Sequence, residues 1–201
     1  MSGIVGSSHN IRGSGVVAKL GTDGQVFTSA GAGVSQGFED ASGGGLTLAS
    51  EQATTSGSAV TFGSIPTGTK QITLMIDSVS TDGSGWTGVT IGDSGGLETS
   101  GYISTMGGHL NNDAYAGEVT GYFHAVQTLV AGNTYFGHMI MNLQDATNNV
   151  WAYQGQFGDG VHGAKLHDTG TGRKALSGEL TQVSFFSNDT FDAGAVSISY
   201  M

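Results

Sequence analysis

The chain has 201 residues, of which 36 are Gly, 22 Ser and 22 Thr, with one Pro and no Cys. Six Lys and Arg stand against sixteen Asp and Glu, a formal net charge of −10, and charged residues are 11% of the chain against an ordinary share of about 25%. These figures exclude a disulfide framework, a Cys-ligated metal and a thiol nucleophile. They also argue against a nucleic-acid partner, which needs a basic footprint, and against a collagen-like helix, which needs Gly at every third position and abundant Pro.

The composition does not describe a disordered chain. Hydrophobic residues reach 37%, with nine Phe, six Tyr and two Trp, whereas disordered segments are poor in aromatic and β-branched residues. No stretch approaches the 18 to 20 apolar residues, roughly, that span a bilayer, so no membrane insertion is expected. The opening residues MSGIVGSSHNIRG lack a basic segment followed by an apolar one, so no signal peptide is read and synthesis in a host cytoplasm is expected.

Residues 1–45 differ from the remainder. Twelve of them are Gly, and the apolar residues come in short runs: Ile4 and Val5, Val16 and Val17, Val26 and Phe27. Runs this short and this broken by glycine cannot offset the entropy of their own ordering. They predict an extended arm that attaches to a neighbour or to sister chains. Three arms wound about an axis would bury those six side chains against one another, at about 25 cal/mol per Å² of apolar surface. The run of three Gly at 43–45 reads as a hinge. The expected organisation is therefore an arm over 1–45 and a domain over 46–201.

Beyond the hinge the pattern has period two. Ile72, Leu74 and Ile76 fall on one face of an expected strand over 70–77, with Thr73, Met75 and Asp77 on the other. Further strands are expected over 87–91, 118–131, 133–143, 149–156, 179–186 and 191–200, the third of these entering after a turn at Gly132 and Asn133. Turn chemistry marks 82–83, 93–96, 111–113, 159–160 and 170–172. Many short strands with no helical period predict an all-β fold, an antiparallel β-sandwich of jelly-roll type.

Chemistry-bearing residues are few. His124 and His138, on what reads as one hairpin, could approach a shared metal, but no His-x-His pair or spaced carboxylate set supports them, so no metal or cofactor is expected. The acidic turns lack the spacing of a calcium loop. Asp93 and Ser94 form a Gly-Asp-Ser, yet no Asp-x-x-His follows to activate a serine, so the segment reads as a turn. A carboxylate pair for glycoside hydrolysis is defined by geometry, not by spacing, and is left open. The aromatics beside Gly, Asn or Asp are the better lead. Trp86, Tyr102 and Tyr115 sit in or next to expected loops, where a flat ring could cover a sugar and short polar side chains could take its hydroxyls. Trp151 and Tyr153 lie on an alternating strand and are expected in the core or an interface.

Four segments carry a resemblance. Residues 11–33 (IRGSGVVAKLGTDGQVFTSAGAG) resemble a segment of tailed-phage fibre and appendage proteins. Residues 91–102 (IGDSGGLETSGY), 174–183 (KALSGELTQV) and 190–200 (TFDAGAVSISY) are similar to phage virion proteins. The resemblance implies a non-enzymatic structural component of a bacteriophage virion, a homotrimer with a β-sandwich head. With one copy of the glycine-rich motif, a short appendage is expected over a long shaft.

The functional expectation is a trimeric, fibre-like virion appendage. Ile4, Val5, Val16, Val17, Val26 and Phe27 would serve oligomerisation and attachment to other virion proteins, and Trp86, Tyr102 and Tyr115 would meet host surface polysaccharide. Two alternatives stand beside it. One is a capsid decoration protein whose arm clamps the shell. The other is a carbohydrate-binding or carbohydrate-active protein outside a virion.

Overall fold

The computed structural model describes residues 25–28, 37–40, 45–111, 113–127, 129–160 and 166–201. The chain divides into two compact units, Met1–Gly45 and Leu46–Met201. In the first, β1 (Gln25–Thr28) pairs antiparallel with β2 (Gly37–Asp40), setting Val26 opposite Glu39 and Phe27 opposite Phe38. Ile4, Val5, Val16 and Val17 lie outside the described residues.

The second unit is all-β, with no helix among the described residues. Its larger sheet runs in the order β10 (Asp113–Val119), β9 (Tyr102–Leu110), β14 (Leu166–Ala175), β13 (Val150–Asp159), β12 (Tyr135–Asp145), β6 (Gln71–Thr81), β16 (Phe191–Tyr200) and β3 (Thr47–Leu48), with β4 (Gln52–Ala53) also on β16. The smaller sheet runs β11 (Phe123–His124), β7 (Thr87–Asp93), β15 (Gln182–Ser187) and β5 (Ala59–Phe62), with β8 (Gly96–Leu97) on β7. All of these strand pairs are antiparallel.

The two sheets pack face to face as a sandwich. The larger contributes Ile72, Leu74 and Ile76 of β6, Met139 and Met141 of β12, Trp151, Tyr153 and Phe157 of β13, and Val196 and Ile198 of β16. The smaller contributes Val60 and Phe62, Val89 and Ile91, Phe123, and Val183 and Phe185. The alternation read at 70–77 is the alternation observed, because a half-buried strand sends successive side chains to opposite faces. The expected strand over 191–200 coincides with β16, and those over 87–91, 133–143, 149–156 and 179–186 overlap β7, β12, β13 and β15.

Three expectations are corrected. Residues 118–131 are not one strand. β10 ends at Val119, the chain turns through 120–122, and only Phe123 and His124 pair with β7, in the other sheet. The expected turn at 170–172 lies in the middle of β14, and the hairpin of β9 and β10 was not anticipated beyond its turn at Asn111, which has φ 58°. Glycine misled the reading here. Gly170 and Gly172 point inward and leave the space that the Tyr153 ring fills. They are glycines for close packing within a strand, not for a turn.

The two kinds of strand glycine separate experimentally. A Cβ at 172 would run into the Ile103 carbonyl oxygen, while one at 107, on the outer face of β9, meets only the Tyr115 carbonyl oxygen at 3.5 Å. Gly172→Ala is expected to lower unfolding free energy by more than about 2 kcal/mol, and Gly107→Ala to stay within about 0.5 kcal/mol of the parent, in chemical denaturation monitored by circular dichroism.

Candidate functional site

The outward face of the larger sheet is built by register. On strands β9, β14, β13 and β12 the inward positions hold Tyr102, Ser104, Asp168, Tyr153, Phe157 and Met139, so their neighbours along each strand point out. Antiparallel pairing then aligns two rows across the four strands. One is Thr105, Thr171, Gln154 and Ile140, and the next is Gly107, Thr169, Gln156 and His138. Side chains opposite one another stand about 5 Å apart, so Thr105, Thr171 and Gln154 form one ladder of polar groups, ended by Ile140, and Thr169, Gln156 and His138 form the next, open at Gly107.

Gly107 has no side chain, and a hollow of about 350 Å³ opens above it, walled by Thr105, Thr169, Thr171, Gln154, Gln156 and His138. A second hollow of about 380 Å³ shares His138 and Gln156 and continues to Phe136, Gly158 and His167. The Phe136 ring leans over Gly158 of the neighbouring strand and remains 50% exposed. An aromatic ring covering a strand glycine is a known way to shield bare backbone. The Thr169 hydroxyl donates to the Gly107 carbonyl oxygen at 2.9 Å and that of Thr171 to the Tyr153 carbonyl oxygen at 3.1 Å. Their oxygens keep lone pairs to accept a further bond. The side-chain amides of Gln154 and Gln156 and the His138 ring have no partner among the described residues.

The three rings expected to meet sugar lie elsewhere. Tyr102 is 2% exposed, its hydroxyl accepting from the Ile91 N–H at 2.9 Å and donating to the Glu98 carbonyl oxygen at 2.9 Å. Tyr115 turns inward from β10 and donates its hydroxyl to the Asp168 carboxylate. Burial raises the pKa of both phenols, and for Tyr115 the Asp168 carboxylate adds to the rise. Both are corrected from exposed platforms, Tyr102 to a core anchor and Tyr115 to a half-buried one, because the period of β9 and β10 sends them to the inner face. Trp86 is half-buried on the smaller sheet. It stacks on Tyr122 with ring centroids 4.4 Å apart and meets the edge of Phe186 at 5.5 Å. One ring face is therefore already covered. Trp151 and Tyr153 are core, as expected, and burial pushes the Tyr153 hydroxyl up to about 12.

His124 and His138 do not share a hairpin. His124 is sealed in β11, and His138 is exposed on β12 of the other sheet. Among the described residues no group of three His, Asp or Glu side chains could hold a metal. Around His124 lies a buried polar cluster. Asp168, also fully buried, accepts from Tyr115 and, at 2.8 Å, from the Gln127 N–H, and its carboxylate is 3.8 Å from the His124 Nε2. Among the described residues both His124 ring nitrogens lack a hydrogen-bond partner. The Ser104 hydroxyl pairs with that of Tyr153 at 2.7 Å, not with the His124 ring. Ser, His and Asp are thus close together but sealed beneath the sheet, where no substrate reaches them.

The segments 91–102 and 174–183, far apart in sequence, meet at one edge of the sandwich. The Ser177 hydroxyl donates to Asp93 at 2.6 Å and its N–H to Glu98 at 2.8 Å, Lys174 pairs with Glu98, and the Gln182 amide donates to the Asp93 carbonyl oxygen at 2.8 Å. The Gly-Asp-Ser is accordingly the turn between β7 and β8, with Asp93 also accepting from the Gly95 N–H. The Ser177 hydroxyl, then the Gly95 N–H, hold the Asp93 carboxyl below its ordinary pKa. Burial pushes Glu98 up, but the Lys174 ammonium and the Ser177 donors outweigh it and leave the pKa lowered. Compared with models of known protein families, with curated proteins and with solved structures, the chain has no significant match.

Two measurements check this geometry. Trp86→Ala is expected to lower unfolding free energy by about 2–3 kcal/mol, since Tyr122 and Phe186 both lose a ring contact. A loss below about 0.5 kcal/mol would show an unpacked ring. Carboxyls with lowered folded pKa values stabilise the fold above their ordinary values, near 3.8 and 4.5 here, and that contribution is lost as pH falls below them. The thermal midpoint should therefore fall on acidification from about pH 5 to about pH 3. In Glu98→Gln the fall should be shallower, from a lower starting midpoint because Lys174 loses its partner.

Proposed function

We propose that the chain is a non-enzymatic structural component of a bacteriophage virion. It is a trimeric, fibre-like appendage whose unit 46–201 faces outward towards host surface glycan and whose arm, 1–45, engages the virion and its sister chains. The observation that carries this reading is the use to which the phage-like segments are put. Asp93, Glu98, Lys174, Ser177 and Gln182, all within segments 91–102 and 174–183, close a hydrogen-bonded clasp between the β7–β8 turn and the end of β14, and segment 190–200 is the strand β16. Motifs devoted to bracing a sandwich are what a scaffold requires. The polar outer groove adds a surface on which such a scaffold could hold a partner.

The test uses particles and the full chain together. Gold-labelled antibody against residues 46–201 is expected to decorate intact phage particles at the tail, and light scattering to give a trimer across micromolar concentrations. Label spread over the shell would favour the decoration reading. Washed particles free of the chain, or a monomer that releases reducing sugar from bacterial polysaccharide, would overturn the proposal.

A further inference from the structure

We infer that the outer groove of the larger sheet is a binding site for an uncharged polysaccharide, seated across strands β9, β14, β13 and β12. The inference rests on the glycan-facing reading above and names its site and ligand class. The groove crosses four strands, about 14 Å at the spacing of a sheet, which suits a chain of several sugar rings better than a single one. Its walls offer hydroxyl oxygens at Thr105 and Thr169, which accept, and amides at Gln154 and Gln156, which donate and accept, and so match sugar hydroxyls and N-acetyl groups. Among the described residues the two amides have no partner to give up.

Phe136 closes one end with a half-exposed ring, the surface that the apolar face of a sugar covers. No Asp, Glu, Lys or Arg lines the first hollow. Just beyond it, Glu118 stands opposite Thr105, Arg173 lies two residues from Thr171 and Asp159 lines the second hollow, so the border adds two carboxylates and one guanidinium. The formal net charge of −10 further disfavours an anionic polysaccharide. Trp86, Tyr102 and Tyr115, the rings the sequence suggests, take no part.

Gly107 supplies a clean variant. A Cβ there meets only one backbone oxygen, at ordinary contact distance, and the rest of a longer side chain would enter the hollow. The full chain would be applied to an array of neutral hexose and N-acetylhexosamine tri- to hexasaccharides, printed beside uronic acid and phosphorylated counterparts. Retention of neutral oligosaccharides is expected, reduced at least tenfold in Gly107→Leu and in Phe136→Ala, with the circular dichroism melt of Gly107→Leu unchanged. Preference for the charged set, retention equal in parent and both variants, or no retention at all would each overturn the groove assignment. A loss of trimer in either variant would identify the face as a subunit contact and overturn it too. Particle labelling reads the virion assignment separately, so a chain found on the virion that retains no neutral glycan refutes the groove alone.

Discussion

The Tyr153 ring is the packing constraint on which the rest of the second unit depends. It lies between the sheets, tilted against Phe123 at 4.3 Å, over a stretch of β14 where Gly170 and Gly172 have no side chains. Its hydroxyl meets that of Ser104 on β9 and accepts from the His124 N–H of β11 at 3.2 Å. One side chain thereby ties three strands of the larger sheet to the edge strand of the smaller. Interiors packed to crystal density leave no slack for a Cβ on either glycine, so ring and glycines are a single feature. Strand propensity is given up at 170 and 172 for a close approach that branched residues would block.

Two polar clusters sit on either side of that ring. In one, Asp168 holds Tyr115 of the β9–β10 hairpin and the backbone of Gln127, so the hairpin and the segment after β11 are both anchored to β14. In the other, Asp93 and Glu98 gather Ser177, Lys174 and Gln182 at the opposite end of β14. A buried carboxylate is tolerable when its oxygens are taken by donors, and in both clusters they are. The His124 imidazole, with neither nitrogen partnered among the described residues, is a local cost that the surrounding packing absorbs.

Division of labour between the two faces of the larger sheet is the functional consequence. The inner face spends its aromatics and carboxylates on holding the sheets together. The outer face carries Thr, Gln and His in register, with glycine at 107 opening a hollow and an exposed ring at 136. A rigid sheet fixes such groups more firmly than loops do, which is what the proposed recognition of a repetitive ligand would demand.

The sequence alone determined the all-β class, the inward face of β6, and β7, β12, β13, β15 and β16, because period two in apolar residues is a local property. It also carried the signal for Phe136: Tyr135 buried on β12 implies that its neighbour points outward. Tertiary structure decided the remainder. Whether a glycine turns the chain or makes room for a ring depends on what stands opposite it, and nothing near Gly170 in sequence reports Tyr153. Tyr102 and Tyr115 both look like loop residues, yet pairing of β9 with β14 sends Tyr102 inward and pairing of β10 with β9 sends Tyr115 inward. The groove belongs to four strands that meet only in the folded sheet, so its residues, from 105 to 171, share no local signature.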